Sequence, residues 1–260
     1  GMGSVGDFIW LDMDASGTRS SGEPGLSGVR VVLFVDLDND GQSDCTRETF
    51  SDEFGRYCFT RLPGGTHTVA VDAATLPDGV KDQTWGPGGV LDLVFEFFLG
   101  SGAELQDYDY AFRGDRELGD KVWMDLDDDG VLDPAENGIP GVQILMSIDL
   151  DQDGAMVYIA CTTTDSSGAY RFENLPGGST LFSVWINQAS LPEGLRPCFD
   201  MDGIATPHVA SGFTLGSEQV RSDIDFGYTG MNSIGNRVWY DQNGDGLQDN
   251  EEPGIPGVSV

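Results

Sequence analysis

Gly119-Asp120-Lys121-Val122-Trp123-Met124-Asp125, continuing through Asp127, Asp129, Gly130, Asp133 and Glu136 to Gly138-Ile139-Pro140-Gly141-Val142, decides the fold because it occurs three times. The first copy runs Gly6-Asp7-Phe8-Ile9-Trp10-Leu11-Asp12 and reaches Gly25-Leu26-Ser27-Gly28-Val29. The third runs Gly235-Asn236-Arg237-Val238-Trp239-Tyr240-Asp241 and reaches Gly254-Ile255-Pro256-Gly257-Val258. Trp-to-Gly spacing is the same in all three, and the copies begin 113 and then 116 residues apart (119 − 6, 235 − 119). Internal periodicity of this kind fixes architecture before any single residue does.

The likeness continues downstream. Ser51-Asp52-Glu53-Phe54-Gly55-Arg56-Tyr57-Cys58-Phe59 and Leu62-Pro63-Gly64-Gly65 match Thr164-Asp165-Ser166-Ser167-Gly168-Ala169-Tyr170-Arg171-Phe172 and Leu175-Pro176-Gly177-Gly178. Leu76-Pro77-Asp78-Gly79 matches Leu191-Pro192-Glu193-Gly194, and Asp107 to Phe112 matches Asp223 to Tyr228. The chain therefore divides into a first repeat over 1–114, a second over 115–230, and the opening of a third over 231–260. The third breaks off at the start of a strand, so the chain reads as a piece of a longer protein.

Each repeat reads as all-β. Val29 to Val35 and Val142 to Ile148 are β-branched apolar runs, and Arg56 to Phe59 and Ala169 to Phe172 alternate. His67 to Val71 and Thr180 to Ile186 are further strands, separated by glycine and proline turn signals. About seven short strands in ~110 residues indicate an antiparallel, Ig-like β-sandwich. The tryptophans of the repeat and its Tyr-x-Phe pairs are read as core. With 39% apolar residues, including 14 Phe, 7 Tyr and 5 Trp, each repeat can build one.

Charge excludes whole classes of function. Thirteen Lys and Arg against 44 Asp and Glu give a net charge of −31. That is the wrong sign for nucleic acid or an anionic membrane surface, and no apolar run is long enough to insert into a bilayer. The four cysteines, Cys45, Cys58, Cys161 and Cys198, form no C-x-x-C pair. Pairing within each half and free thiols both stay open. No nucleophile elbow or phosphate loop occurs, and His67 and His208 do not fall at equivalent positions, so an enzyme is not expected.

The acid is concentrated in registered loops, unlike the spread of a halophilic surface. In the second repeat, Asp125, Asp127, Asp129, Val131, Asp133 and Glu136 fall at positions 1, 3, 5, 7, 9 and 12 of a twelve-residue calcium loop, with Gly130 at position 6. Asp241, Asn243, Asp245, Leu247, Asp249 and Glu252 repeat the pattern in the third copy around Gly246. Calcium takes six to eight hard oxygens at about 2.3–2.6 Å. Alternate residues on a tightly curved loop supply carboxylates, position 7 supplies a carbonyl, and Glu at 12 closes the shell. Without a cation, such carboxylates repel one another. The first copy keeps Asp12, Asp14, Gly17 and Glu23 but has Ser16, Thr18 and Ser20 at positions 5, 7 and 9, so weaker binding is expected.

A second acidic loop follows the next strand. Asp36, Asp38 and Asp40, and Asp149, Asp151 and Asp153, reproduce the first half of the same pattern. Position 12 falls on Arg47 and Ala160, which cannot ligate, so Asp52 and Asp165 are the candidates to close these sites. Asp200-Met201-Asp202-Gly203 has no counterpart in the first repeat and is read as loop.

Taken together, these motifs resemble the SdrD B-like repeat, related to the Cna B-type, prealbumin-like sandwich domains of bacterial surface proteins. The resemblance implies tandem calcium-stiffened sandwiches forming an extracellular stalk. It implies neighbouring repeats as partners, and an outside protein or glycan met through the parent protein. It implies the calcium ligands named above for the second and third loops. Some Cna B-type domains carry a Lys–Asn crosslink, which is not expected here. Lys121 is replaced by Phe8 and Arg237 in the other copies, and the strand containing Asp225 offers no Asn. A competing expectation is a direct ligand-binding module. Its mark would be an aromatic patch in one repeat only, and Trp85 and Trp185 are unmatched between the copies.

Overall fold

The computed structural model describes every residue except 39, 151, 157, 217–219, 233, 234 and 260. In the first repeat, β1 (Gly3–Leu11), β2 (Arg30–Val35), β3 (Cys45–Phe50), β4 (Arg56–Leu62) and β5 (Gly65–Val71) are followed by β6 (Val80–Trp85), β7 (Val94–Leu99), β8 (Glu104–Leu105) and β9 (Tyr110–Gly114). The second repeat supplies β10 (Arg116–Met124), β11 (Gln143–Asp149), β12 (Tyr158–Thr163), β13 (Ala169–Leu175), β14 (Leu181–Ile186), β15 (Leu195–Asp200), β16 (Val209–Phe213), β17 (Val220–Arg221) and β18 (Phe226–Gly230).

Each repeat is a two-sheet sandwich. The first pairs β4-β1-β9-β6, with β8 added beside β1, against β3-β2-β5-β7. The second pairs β13-β10-β18-β15, with β17 beside β10, against β12-β11-β14-β16. The first strand of each repeat is central. It runs antiparallel to β4 or β13, and parallel to β9 or β18. Its inward residues Val5, Ile9 and Leu11, or Leu118 and Val122, are fully buried. Trp10, Tyr57 and Phe59, and Trp123, Tyr170 and Phe172, are buried as the alternation predicted.

The repeated motif residues each have a mechanical task. The first Gly of Gly-x-x-Gly-Val lies against the Asp-x-x-Gly turn, so closely that a Cβ on Gly138 would fall 1.8 Å from the Ser167 carbonyl. Gly168 has φ +79°, and a Cβ there would meet Val122 O at 2.4 Å. The Ser51 and Thr164 hydroxyls accept from Val29 N and Val142 N at 2.9 Å and donate to Leu26 O and Ile139 O. Tyr170 donates from its phenol to Ile224 O, and Tyr57 likewise to Tyr108 O, tying the fourth strand to the approach of the last. These contacts fasten both ends of the acidic loop that follows the tryptophan.

The two sandwiches are joined at Asp115, the one residue between β9 and β10, and touch at further points around it. Its N–H donates to Gly79 O, and its carboxylate pairs with Lys81 and Arg116. Gly177 N donates to Asp78 O at 2.8 Å, and Asn174 Nδ2 donates to Met13 O at 3.0 Å. The sequence set the junctions at Arg113 to Leu118 and Thr229 to Ser233. The first is shorter than that, because β9 and β10 extend into it. Ser233 lies outside the described residues. All four cysteines are free thiols, Cys45, Cys58 and Cys161 exposed and Cys198 half-buried.

A pair of partly buried carboxyls recurs beside the first strand. Asp109 accepts from Phe8 N and Asp225 from Lys121 N. Burial, then neighbouring carboxylates (Asp7 and Asp107, or Asp120 and Asp223), pushes each up to about 6. Such groups favour the fold when protonated. Their contribution is fully present below the unfolded value near ~3.9 and is lost as pH rises through about 6.

Two outcomes follow. Gly168→Ala forces a Cβ into a left-handed, close-packed site and should cost at least about 2 kcal/mol of unfolding free energy by urea denaturation. In the chelated protein, lowering pH from about 7.5 to about 5 should raise the melting midpoint. Asp109→Asn with Asp225→Asn should raise the midpoint at the higher pH and flatten that rise. An unchanged pH slope in the double variant would contradict the assignment.

Candidate metal centres

The three tryptophan loops share one hydrogen-bond frame. In each, the N–H of the position-6 glycine donates to the position-1 aspartate: Gly17 to Asp12 at 2.9 Å, Gly130 to Asp125 at 2.8 Å, Gly246 to Asp241 at 2.9 Å. The position-2 N–H donates to one oxygen of the closing glutamate: Met13 to Glu23, Leu126 to Glu136, Gln242 to Glu252. The position-9 N–H donates to its other oxygen: Ser20 to Glu23, Asp133 to Glu136, Asp249 to Glu252. The aspartate and glutamate are thus held at fixed places, each keeping lone pairs free for a cation. The loop is also moored to the sheet, since Asp12 N donates to Phe112 O and Asp125 N to Tyr228 O.

Several predicted ligands converge. Oxygens of Asp125, Asp127 and Glu136 lie within 4.8 Å of one another, and so do those of Asp12, Asp14 and Glu23. Asp125 and Glu136 are buried, while Asp127, Asp129 and Asp133 reach solvent. Asp127 is raised above the ordinary carboxylate range by lost solvation, then by the charges of Asp129, Asp125 and Glu136. Burial opposes the charge of Asp125, yet the Gly130 N–H and the Cys198 thiol hold it below that range. Val131 is exposed and leaves its carbonyl as the only donor suited to position 7.

The first loop substitutes hydroxyls for acids in a consistent way. Ser16 Oγ bonds Thr18 Oγ1 at 3.0 Å and donates to Thr18 O, and Ser20 Oγ donates to Asp14. The Ser16 hydrogen bond holds Asp14 below the ordinary range. In the third loop, Asn243 Nδ2 donates to Asp245 at 3.1 Å and to Asp249 at 3.0 Å. An amide there screens two acids, and an ion entering this loop replaces those bonds.

The second acidic loops keep half of the frame. Gly41 N donates to Asp36 at 2.9 Å and Gly154 N to Asp149 at 3.0 Å. Asp36, Asp38 and Asp40 bring oxygens within 4.8 Å of one another. Asp36 Oδ1 and Asp149 Oδ1 are buried without a hydrogen-bond partner, as ligand oxygens awaiting a cation would be. Asp153 caps Ala155 N, and Asp151 lies outside the described residues.

The expected closing residues also hold the turns that follow. Asp52 accepts from Phe54 N and Arg56 N, and Asp165 from Ser167 N and Ala169 N, so both cap the tight turns before β4 and β13. In the first repeat the glutamate's task falls to Asp44, which accepts from Leu37 N at 2.7 Å. Its place, eight residues after Asp36, was visible in the sequence as position 9 of the loop.

The first tryptophan loop sits at the seam between repeats. Met13 and Asp14 share a crevice with Cys161, Arg171 and Asn174 of the second repeat. Leu150, inside the second repeat's other acidic loop, joins Arg19, Pro24, Phe54 and Pro77 in lining another. Trp85 is 41% exposed, and a Cβ on Gly17 of the first tryptophan loop would lie 3.3 Å from its ring. Trp185 is half-buried in β14, where it pairs with Leu145 and Val209.

With this geometry established, comparison with known proteins is informative. The family model of the SdrD B-like domain matches residues 3–88, 116–228 and 232–260. The chain is 32% identical over 272 aligned residues to serine-aspartate repeat-containing protein F of Staphylococcus epidermidis, covering 99% of this chain and 14% of that protein. It is 29% identical to serine-aspartate repeat-containing protein D of Staphylococcus aureus strain MW2, covering 99% of this chain and 18% of that protein. The chain thus spans less than a fifth of these relatives. Among solved structures, the Bacillus anthracis TIE protein aligns over 88% of this chain and 34% of its own, at 14% identity and a TM-score of 0.39.

Proposed function

The chain belongs to the SdrD B-like domain family, and from that premise we propose that it is a calcium-binding structural spacer within a larger extracellular bacterial surface protein. The observation that carries this reading is the glycine–aspartate and amide–glutamate frame, kept in three loops that differ at positions 5, 7 and 9. A solvated acidic turn has no need of that frame. A calcium loop requires it, because the cation's first and last ligands must be preset.

The loops' position supplies the mechanical role. In the first loop, the carbonyl of Met13 accepts from Asn174 of the next repeat. Metal held by Asp12, Asp14 and Glu23 would fix that carbonyl, and with it the angle between sandwiches. Where calcium exceeds its dissociation constant a hundredfold, each site adds about 2.7 kcal/mol to the folded state. No helix is long and apolar enough to cross a membrane among the described residues. Direct ligand capture by Trp85 is the weaker reading, because its ring packs against the metal loop.

Chelation followed by calcium titration should raise the melting midpoint with the logarithm of calcium concentration, and magnesium at equal concentration should not. Asn174→Ala should leave the number of bound calcium ions unchanged and broaden the distance distribution in small-angle scattering. A melt indifferent to calcium would overturn the metal reading. An unbroadened distribution would overturn the mechanical one.

A further inference from the structure

We infer that the second repeat carries an additional site for a hard divalent cation of calcium's class, built on Asp200 and Asp202 and separate from every acidic loop described above. Asp200 ends β15 opposite Phe226 and is only 3% exposed. Both of its carboxylate oxygens are buried and without a hydrogen-bond partner, and no other carboxylate among the described residues has both oxygens in that state. An unpaired buried carboxylate costs several kcal/mol, so a counter-charge or a proton must be supplied.

The surroundings offer no counter-charge. Arg196 of β15 is spent on Asp128, and Arg221, which reaches the neighbouring Met201 sulfur, on Asp223 and Thr214 O. His208 is engaged by its Nδ1 with the Tyr228 phenol at 2.7 Å. Asp202 adds a second negative charge, and its Oδ2 is held in place by Ser211 N of β16 at 3.1 Å. Burial, then the charge of Asp202, disfavours the ionised form of Asp200. A cation shared by the two carboxylates meets the need for a counter-charge, with water completing its oxygen shell.

The first repeat shows what the position looks like without such a site. Phe199 pairs with Gly227 as Trp85 pairs with Ala111, which places Asp200 where the first repeat has Gly86. A Cβ on Gly86 would lie 2.3 Å from Val90 O and 2.4 Å from Gln83 Nε2. Backbone and an amide fill the space there, so no carboxylate fits. The site is a property of the second repeat alone. It stands beside that repeat's metal loop, since Tyr228, engaged with His208, also accepts from Asp125 N.

The test counts calcium ions on the whole chain by native mass spectrometry and calorimetric titration, for the parent protein, Asp200→Asn, Asp202→Asn and the loop variant Glu136→Gln. Asp200→Asn should bind one equivalent fewer than the parent, melt higher than the parent in chelator, and gain less from calcium. Asp202→Asn should lose the same equivalent. The site is overturned if both aspartate variants bind the parent's full complement, including the case where Asp200→Asn is stabilised yet loses no calcium, which would mean a proton neutralises it. It is also overturned if Asp200→Asn melts lower in chelator. Loss of an equivalent in Glu136→Gln but not in Asp200→Asn keeps the loops and rejects this site. The reverse keeps this site and rejects that loop.

Discussion

Crowded carboxylates constrain everything else in this molecule. The Asp125–Glu136 loop gathers six acids within twelve residues and is repulsive on its own, and the chain, at net charge −31, has only 13 Lys and Arg to set against 44 Asp and Glu. The fold responds by fastening each loop at both ends. The glycine pair Gly138 and Gly168 closes one side, the mooring of Asp125 N to Tyr228 O closes the other, and loop amides fix Asp125 and Glu136 between them. The sandwich supplies the frame, and the frame holds carboxylates in a geometry that they would not adopt by themselves.

The two complete repeats use this plan differently. The first has serines, Ser16 and Ser20, where the second has acids in its tryptophan loop, yet recruits Asp44 to its second loop. The second keeps the full acidic set, has Val157 at the place of Asp44 in the sequence, and gains Asp200 where the first repeat has Gly86. Carboxylates are redistributed between copies while the sheets stay alike. The junction is equally specific: Asn174 and Asp115 face partners in the other repeat, so geometry between the sandwiches is written in side chains outside the repeated motif.

Much of this was legible from the chain alone, because a repeat displays its own constraints. The three copies exposed the strands, the twelve-residue spacing and the glycines, and the strand cores followed from alternation at Tyr57 and Phe59. What stayed hidden has physical reasons. Strand β3, Cys45–Phe50, is almost wholly exposed, so it shows no apolar alternation. Strands β8 and β17 have two residues each, too few for any period. The capping bonds of Asp52 and Asp165 were not visible either, because a turn cap and a metal ligand use the same residue type. Asp44 and Asn174 depend on partners brought close by the fold. Asp200 looked like a turn residue, and only burial separates it from the solvated aspartates that share its sequence context.

Diffraction from crystals grown in millimolar calcium tests the central claim most directly. The account predicts strong density at the centre of the Asp125–Glu136 loop, about 2.3–2.6 Å from Asp125, Asp127, Asp129, the Val131 carbonyl and both oxygens of Glu136. The Gly130 and Asp133 amide bonds to Asp125 and Glu136 should be unchanged. The same loop with its hydrogen-bond frame intact, and only water among its carboxylates, would contradict it.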